Sequence, residues 1–97
     1  MRLSNFELQA IQESFTLVFE NGSIALFGSR LDDTKKGGDI DLYIKTQAND
    51  KVQKKITFLT TLKERIGEQK IDVVLHYDAT KPIEQEAIAH GQILLEL

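Results

Sequence analysis

The sequence predicts an α+β fold, a mixed β-sheet flanked by helices in the order α-β-β-α-β-α-β. Three observations predict it: two stretches with apolar residues at three- and four-residue spacing, short apolar runs bounded by glycine, and one segment of strict apolar and polar alternation. Ninety-seven residues are expected to form a single domain, residues 1–97, around one core. Hydrophobic residues at 41% and charged residues at 28% match ordinary globular usage, which argues against disorder.

Ser4-Asn5-Phe6-Glu7 has the form of a capping box and starts a helix near Asn5. Leu8, Ile11, Phe15, Val18 and Phe19 give it an apolar stripe, and Asn21-Gly22 offers a stop. Ser23 to Phe27 is short and apolar, so it reads as a buried strand that Gly28 ends. Residues 30 to 38 form a polar loop closed by two glycines. Asp39 to Lys45 alternates, with Asp39, Asp41 and Tyr43 on an open upper face and Ile40, Leu42 and Ile44 on a face covered by helices.

Val52, Ile56, Leu59, Leu62 and Ile66 mark a second amphipathic helix that Gly67 stops. Lys70 to Tyr77 reads as a strand with Ile71, Val73, Leu75 and Tyr77 on one face and Asp72, Val74 and His76 on the other. Thr80-Lys81-Pro82 begins a short helix running to about His90, where Gly91 ends it, and a last strand lies near Ile93 to Leu95.

Asp39 and Asp41 point the same way with β-carbons about 7 Å apart, so their oxygens can converge on cations between them. Magnesium takes hard oxygen ligands and keeps waters and substrate phosphates in its shell, so few protein carboxylates suffice. In two-metal phosphoryl chemistry the ions lie about 3.5–4 Å apart, and a third carboxylate on a neighbouring strand would complete the site. Asp72 is the candidate, as metal ligand and as base for an attacking hydroxyl; the alternative is an aspartate at a solvated strand edge.

Gly28 permits close approach of the backbone to a phosphate, and the Ser29 hydroxyl and nearby amides can donate to its oxygens. Arg30, Lys35 and Lys36 can add charge for a triphosphate, although the two lysines also suit a solvated loop tip. His76 lies about 13 Å along the strand from Asp72, which suits a strand-end histidine better than a ligand, and His90 complements a helix C-terminus. Tyr43 can contact a base or ribose, or be an exposed aromatic. Asp32 and Asp33 do not continue the spacing of an EF-hand.

Charge and composition narrow the function classes. The net charge of −3 does not favour general nucleic-acid binding. Residues 51–70 carry six cations against two glutamates, a basic helix that suits either an acidic partner or a solvated face. The absence of cysteine excludes disulfides and cysteine-ligated zinc. No apolar run exceeds Ile24 to Phe27 and the N-terminus lacks a signal pattern, so a cytoplasmic location without membrane association is expected.

The combination of Ala25-Leu26-Phe27-Gly28-Ser29-Arg30, then Asp39-Ile40-Asp41-Leu42-Tyr43-Ile44 and Ile71-Asp72-Val73-Val74, resembles the minimal nucleotidyltransferases of the DNA polymerase beta superfamily. The likeness runs to the terminal Ile88 to Leu94 segment. It implies binding of Mg²⁺, two ions, and of ATP, with transfer of a nucleotidyl group to an acceptor hydroxyl and release of pyrophosphate. Gly28 and Ser29 would hold the phosphates with Arg30 beside them, Asp39 and Asp41 both metals, and Asp72 the catalytic metal. Many such proteins are antitoxins that add AMP to a tyrosine of a HEPN-domain toxin, which implies that toxin as acceptor and a possible hetero-oligomer. The arginine-glycine pair common in the family a few residues after Gly-Ser is replaced here by Arg30 directly after Ser29. A small domain with little room for an acceptor pocket is expected to borrow that surface from a protein. The competing readings are an antitoxin that neutralises by complex formation alone and transfer to a small molecule.

Overall fold

The computed structural model describes residues 1–32, 34, 38–77 and 80–97. Its order is α1 (Asn5–Val18), β1 (Ser23–Phe27), a 3-10 turn (Gly28–Leu31), β2 (Ile40–Lys45), α2 (Lys51–Ile66), β3 (Ile71–Leu75), α3 (Pro82–His90) and β4 (Gln92–Glu96). The α+β order read from the sequence is the one observed, and the sheet is mixed. Its four strands run β3-β2-β1-β4, with β1 antiparallel to both β2 and β4 and β2 parallel to β3.

α1 starts as its capping box dictates: Ser4 Oγ accepts from the Glu7 amide and Glu7 Oε1 accepts from the Ser4 amide, both at 3.0 Å. It ends at Val18, short of Asn21-Gly22, because Phe19 turns into an extended conformation and is buried. α1 and α2 cover one sheet face. There Ile11, Phe15, Phe19, Phe58 and Leu62 pack against Ile24, Leu26, Ile40, Leu42, Ile44 and the apolar face of β3. Each such side chain removed from water stabilises the fold by roughly 1.5–3 kcal/mol.

Two apolar expectations fail in an instructive way. The buried face of α2 runs through Phe58 and Leu62, so Val52 and Ile56 at the start of the expected stripe are exposed, Val52 at 60%. Tyr77, expected within the strand on the face of Ile71, Val73 and Leu75, lies beyond the strand end and is 58% exposed. Periodicity marked α2 as amphipathic but did not fix its rotation, because Phe58 contributes more area than either residue it displaces.

The other face of the sheet is only partly open. α3 lies across it, and Ala87 packs with Phe27 and Tyr43 in a second, smaller cluster. Tyr43 is 3% exposed, which corrects the reading of an open upper face and removes this ring from contact with a base or ribose. Among the described residues, no helix is long and apolar enough to cross a membrane.

Candidate active site

The strand registers bring two of the three predicted carboxylates, Asp41 and Asp72, together, and Asp39 precedes β2 close enough for its charge to reach Asp41. Asp41 is the register partner of Phe27 on β1 and of Asp72 on β3. Neighbouring strands lie about 4.8 Å apart and side chains alternate, so Asp41 and Asp72 stand side by side on the α3 face, with Asp39 one same-face position before Asp41. Asp72 is exposed, while Asp39 and Asp41 are partly buried.

This crowding shows in the electrostatics. Burial pushes the Asp41 carboxyl above its ordinary value, the charges of Asp72 and Asp39 push it further, Lys70 pulls it back, and Glu86 on α3 adds to the rise. Lys70 Nζ lies 3.3 Å from Asp39 Oδ2. Its ammonium is held above the usual value, first by the hydrogen bond and charge of Asp39, then by the charge of Asp72. Lys70 and Glu86 were not singled out in the sequence. Period-two alternation already puts Lys70 on the face of Asp72, whereas nothing local to α3 announces that Glu86 will face a strand.

The Gly28 turn abuts the carboxylates. Gly28 has φ 77°, and a β-carbon there would lie 2.3 Å from Asp41 Oδ2. Only glycine fits both the backbone angle and the space. Ser29 follows in the turn, and its Oγ lies where a β-carbon on Gly38 would be, 2.4 Å away, so the far end of the polar loop returns to the serine. Lys35 and Lys36, like Asp33, lie outside the described residues.

Arg30 has partners other than those expected of a phosphate ligand. Its Nε donates to the Gly38 carbonyl at 3.1 Å and its Nη1 to the Arg2 carbonyl at 2.8 Å, and it lies 3.7 Å from Glu7 Oε1. Arg2 answers from the N-terminal segment: its guanidinium donates to the carbonyls of Ser29 and Asp32, both at 2.8 Å, and its amide to that of Arg30 at 2.7 Å. The two arginines brace the Gly-Ser turn from behind, and a guanidinium fork suits such a task. No motif in the sequence pointed to Arg2.

Beyond Tyr43, α3 is fastened by one buried carboxylate. Glu84, 2% exposed, accepts through Oε1 from the Tyr43 hydroxyl at 2.9 Å and the Tyr77 amide at 3.1 Å. His76 Nδ1 contacts the Tyr43 hydroxyl and lies 3.1 Å from the same Glu84 oxygen. Burial, then the hydrogen bond and charge of Glu84, hold the Tyr43 hydroxyl well above its ordinary value. His76 is thus the strand-end histidine expected, tied to α3, and His90 is exposed in the last turn of α3.

The donor set fits a hard divalent cation: it consists of carboxylate oxygens whose mutual repulsion a cation would relieve. Among the described residues no three His, Asp or Glu side chains are placed together so as to hold a metal ion as they stand. Water and substrate phosphate would have to supply the remaining ligands, as they commonly do for magnesium. A sequence model of the family described as polymerase beta, nucleotidyltransferase matches residues 9–97. No curated protein matches the chain.

Proposed function

The chain belongs to the polymerase beta nucleotidyltransferase family, and from that premise we propose that it moves AMP from ATP to a hydroxyl of a partner protein, a tyrosine of a HEPN-domain toxin, and so acts as an antitoxin in the cytoplasm. Nucleotidyl transfer is the activity of the family; the donor, the acceptor and the antitoxin role are the proposal. The observation that carries it is the register pairing of Asp41 with Asp72 beside a Gly28 turn that has no room for a side chain.

In this reading the amides of the Gly28–Leu31 turn and the Ser29 hydroxyl hold the triphosphate, with the turn kept in shape by Arg2 and Arg30. Asp39, Asp41 and Asp72 would hold Mg²⁺, two ions in the full arrangement, and the metal when bound supplies positive charge to the phosphate oxygens and the leaving group. The acceptor oxygen forms a bond to the α-phosphorus, the bond to the pyrophosphate oxygen breaks, and the hydroxyl proton passes to the Asp72 carboxylate. Asp72 suits the last role because it is the most exposed of the three and lies on an edge strand, open to a macromolecular acceptor. Lys70, paired with Asp39, must release it or stay as a counter-charge to the departing pyrophosphate.

The test is incubation with α-labelled ATP, Mg²⁺ and the toxin encoded beside the gene. Wild type should label the toxin, and Asp72→Asn should lower labelling by 10³-fold or more, of the order expected when a base and metal ligand are lost together. A toxin neutralised equally well by the Asp39→Asn/Asp41→Asn double variant, with no label transferred, would replace catalysis with simple complex formation.

A further inference from the structure

The free edge of β3 is built differently from the other edge of the sheet. The Ile40 amide donates to the Lys70 carbonyl and the His76 amide to the Ile44 carbonyl, so the even-numbered residues of β3 bond to β2. By the same alternation Ile71, Val73 and Leu75 turn their N–H and C=O groups outward, and among the described residues no strand pairs with them. Edge strands are commonly guarded by lysine, proline or a bulge. Ile71–Leu75 has none of these, and Lys70 is engaged with Asp39. On the opposite edge, β4 pairs with β1 through a register shift, whereas β3 pairs evenly and carries a single charge, Asp72, near its start.

Exposed apolar residues from α2, from just beyond β3 and from α3 gather at this edge. Val52, Tyr77 and Ile83 line one cleft of about 340 Å³ that opens along Val73–Leu75. Among the described residues its rim is basic: Lys55 and Lys81 line it, and Lys51 Nζ lies 5.3 Å from the Tyr77 ring. The single carboxylate among the described lining residues, Glu84, is buried and already accepts two hydrogen bonds. Unpaired backbone, apolar flanks and a basic rim together suit a ligand that is extended, partly apolar and acidic.

We propose that the edge of β3 takes up an extended acidic segment of the acceptor protein as a further strand. Its apolar side chains rest on Val52, Tyr77 and Ile83, and its carboxylates meet Lys51, Lys55 and Lys81. A segment so bound runs along the strand that carries Asp72 and brings its neighbours to that carboxylate. The proposal rests on the transfer reading only in calling the bound chain the acceptor; docking requires no catalysis.

The test selects displayed random peptides on the wild-type chain and follows amide exchange with one selected peptide bound. The expected peptides alternate apolar residues with Asp or Glu, and they slow exchange at Ile71, Val73 and Leu75. They bind Lys55→Glu/Lys81→Glu about tenfold more weakly, the effect of reversing one half-buried and one exposed charge. Lys81→Glu/Ile83→Asp serves as a second variant, and thermal unfolding checks that both fold. Selection of no peptide or of basic peptides, protection elsewhere, or equal binding by both variants overturns the proposal. Protection of the same amides by single-stranded polyuridine but by no peptide would make the edge a polyanion site. Protection in the chain alone that grows with concentration would make it a self-interface. Peptide docking without label transfer from ATP would count against the transfer reading alone.

Discussion

At Gly28 the backbone has φ 77°, and the position a β-carbon would take is 2.3 Å from Asp41 Oδ2. Two separate requirements therefore meet on one residue: a left-handed backbone, which costs a non-glycine residue about 1–2 kcal/mol, and empty space for a carboxylate. Gly28→Ala is expected to destabilise the fold by about 2 kcal/mol in urea unfolding and to lower nucleotidyl transfer more than that loss explains, since the displaced group is Asp41 itself. The glycine was legible in the sequence as a turn and as a phosphate approach. Its contact with Asp41 was not, because it depends on the antiparallel register of β1 with β2, which places Phe27 opposite Asp41.

Among the elements, α1 does more than pack. Its first turn carries Glu7, whose carboxyl is drawn upward by burial but is held below its ordinary value of 4.5 by hydrogen bonds from Ser4 and Gln69 and by the charge of Arg30. The stabilisation from a lowered carboxyl is fully present above the unfolded value and is lost as pH falls through the folded one. Glu7→Gln keeps the geometry of the capping box and removes the charge. Urea midpoints of wild type and variant should therefore differ at neutral pH and converge between about pH 5 and about pH 3. The helices and strands themselves were readable because Ser4, Gly67, Pro82 and the alternation from Asp39 are local signals. The rotation of α2 was not readable, for Phe58 and Val52 both suit an apolar stripe and only the sheet beneath decides between them.

For the whole molecule, the fold gathers negative charge on one face and covers part of that face with α3. Asp39 and Asp41 stood out by their two-residue spacing and Asp72 as a lone aspartate on an apolar strand, but Tyr43 and Glu84 did not, since a tyrosine on a polar face and a glutamate in a first helical turn both read as solvated. Their hydrogen bond makes the polar face a second interior. The charge gathered beside it weakens the folded state: a carboxyl whose folded value is raised, as at Asp41, lowers stability as pH rises through that value. Asp41→Asn is expected to be more stable than wild type at neutral pH by a few tenths of a kcal/mol, discounted for the solvent that screens a half-exposed group. Calorimetry with and without Mg²⁺ checks it: the cation should raise the wild-type midpoint and leave the variant nearly unmoved.

The strand order has a consequence for how such a chain is made. β1 leaves the ribosome ahead of the other three strands of the sheet, yet one of its two neighbours is β4, which follows them all. The Gly28 turn and Asp41 come together as soon as β2 emerges, and Asp72 joins once α2 has been synthesised. Until β4 arrives, four of the five residues of β1 that end up buried have no strand on one side. A nascent chain therefore assembles its carboxylate face before it can close its core, and contacts this distant in sequence form slowly. Chains halted at Gly91 would carry all three aspartates and still be substrates for chaperones and proteases.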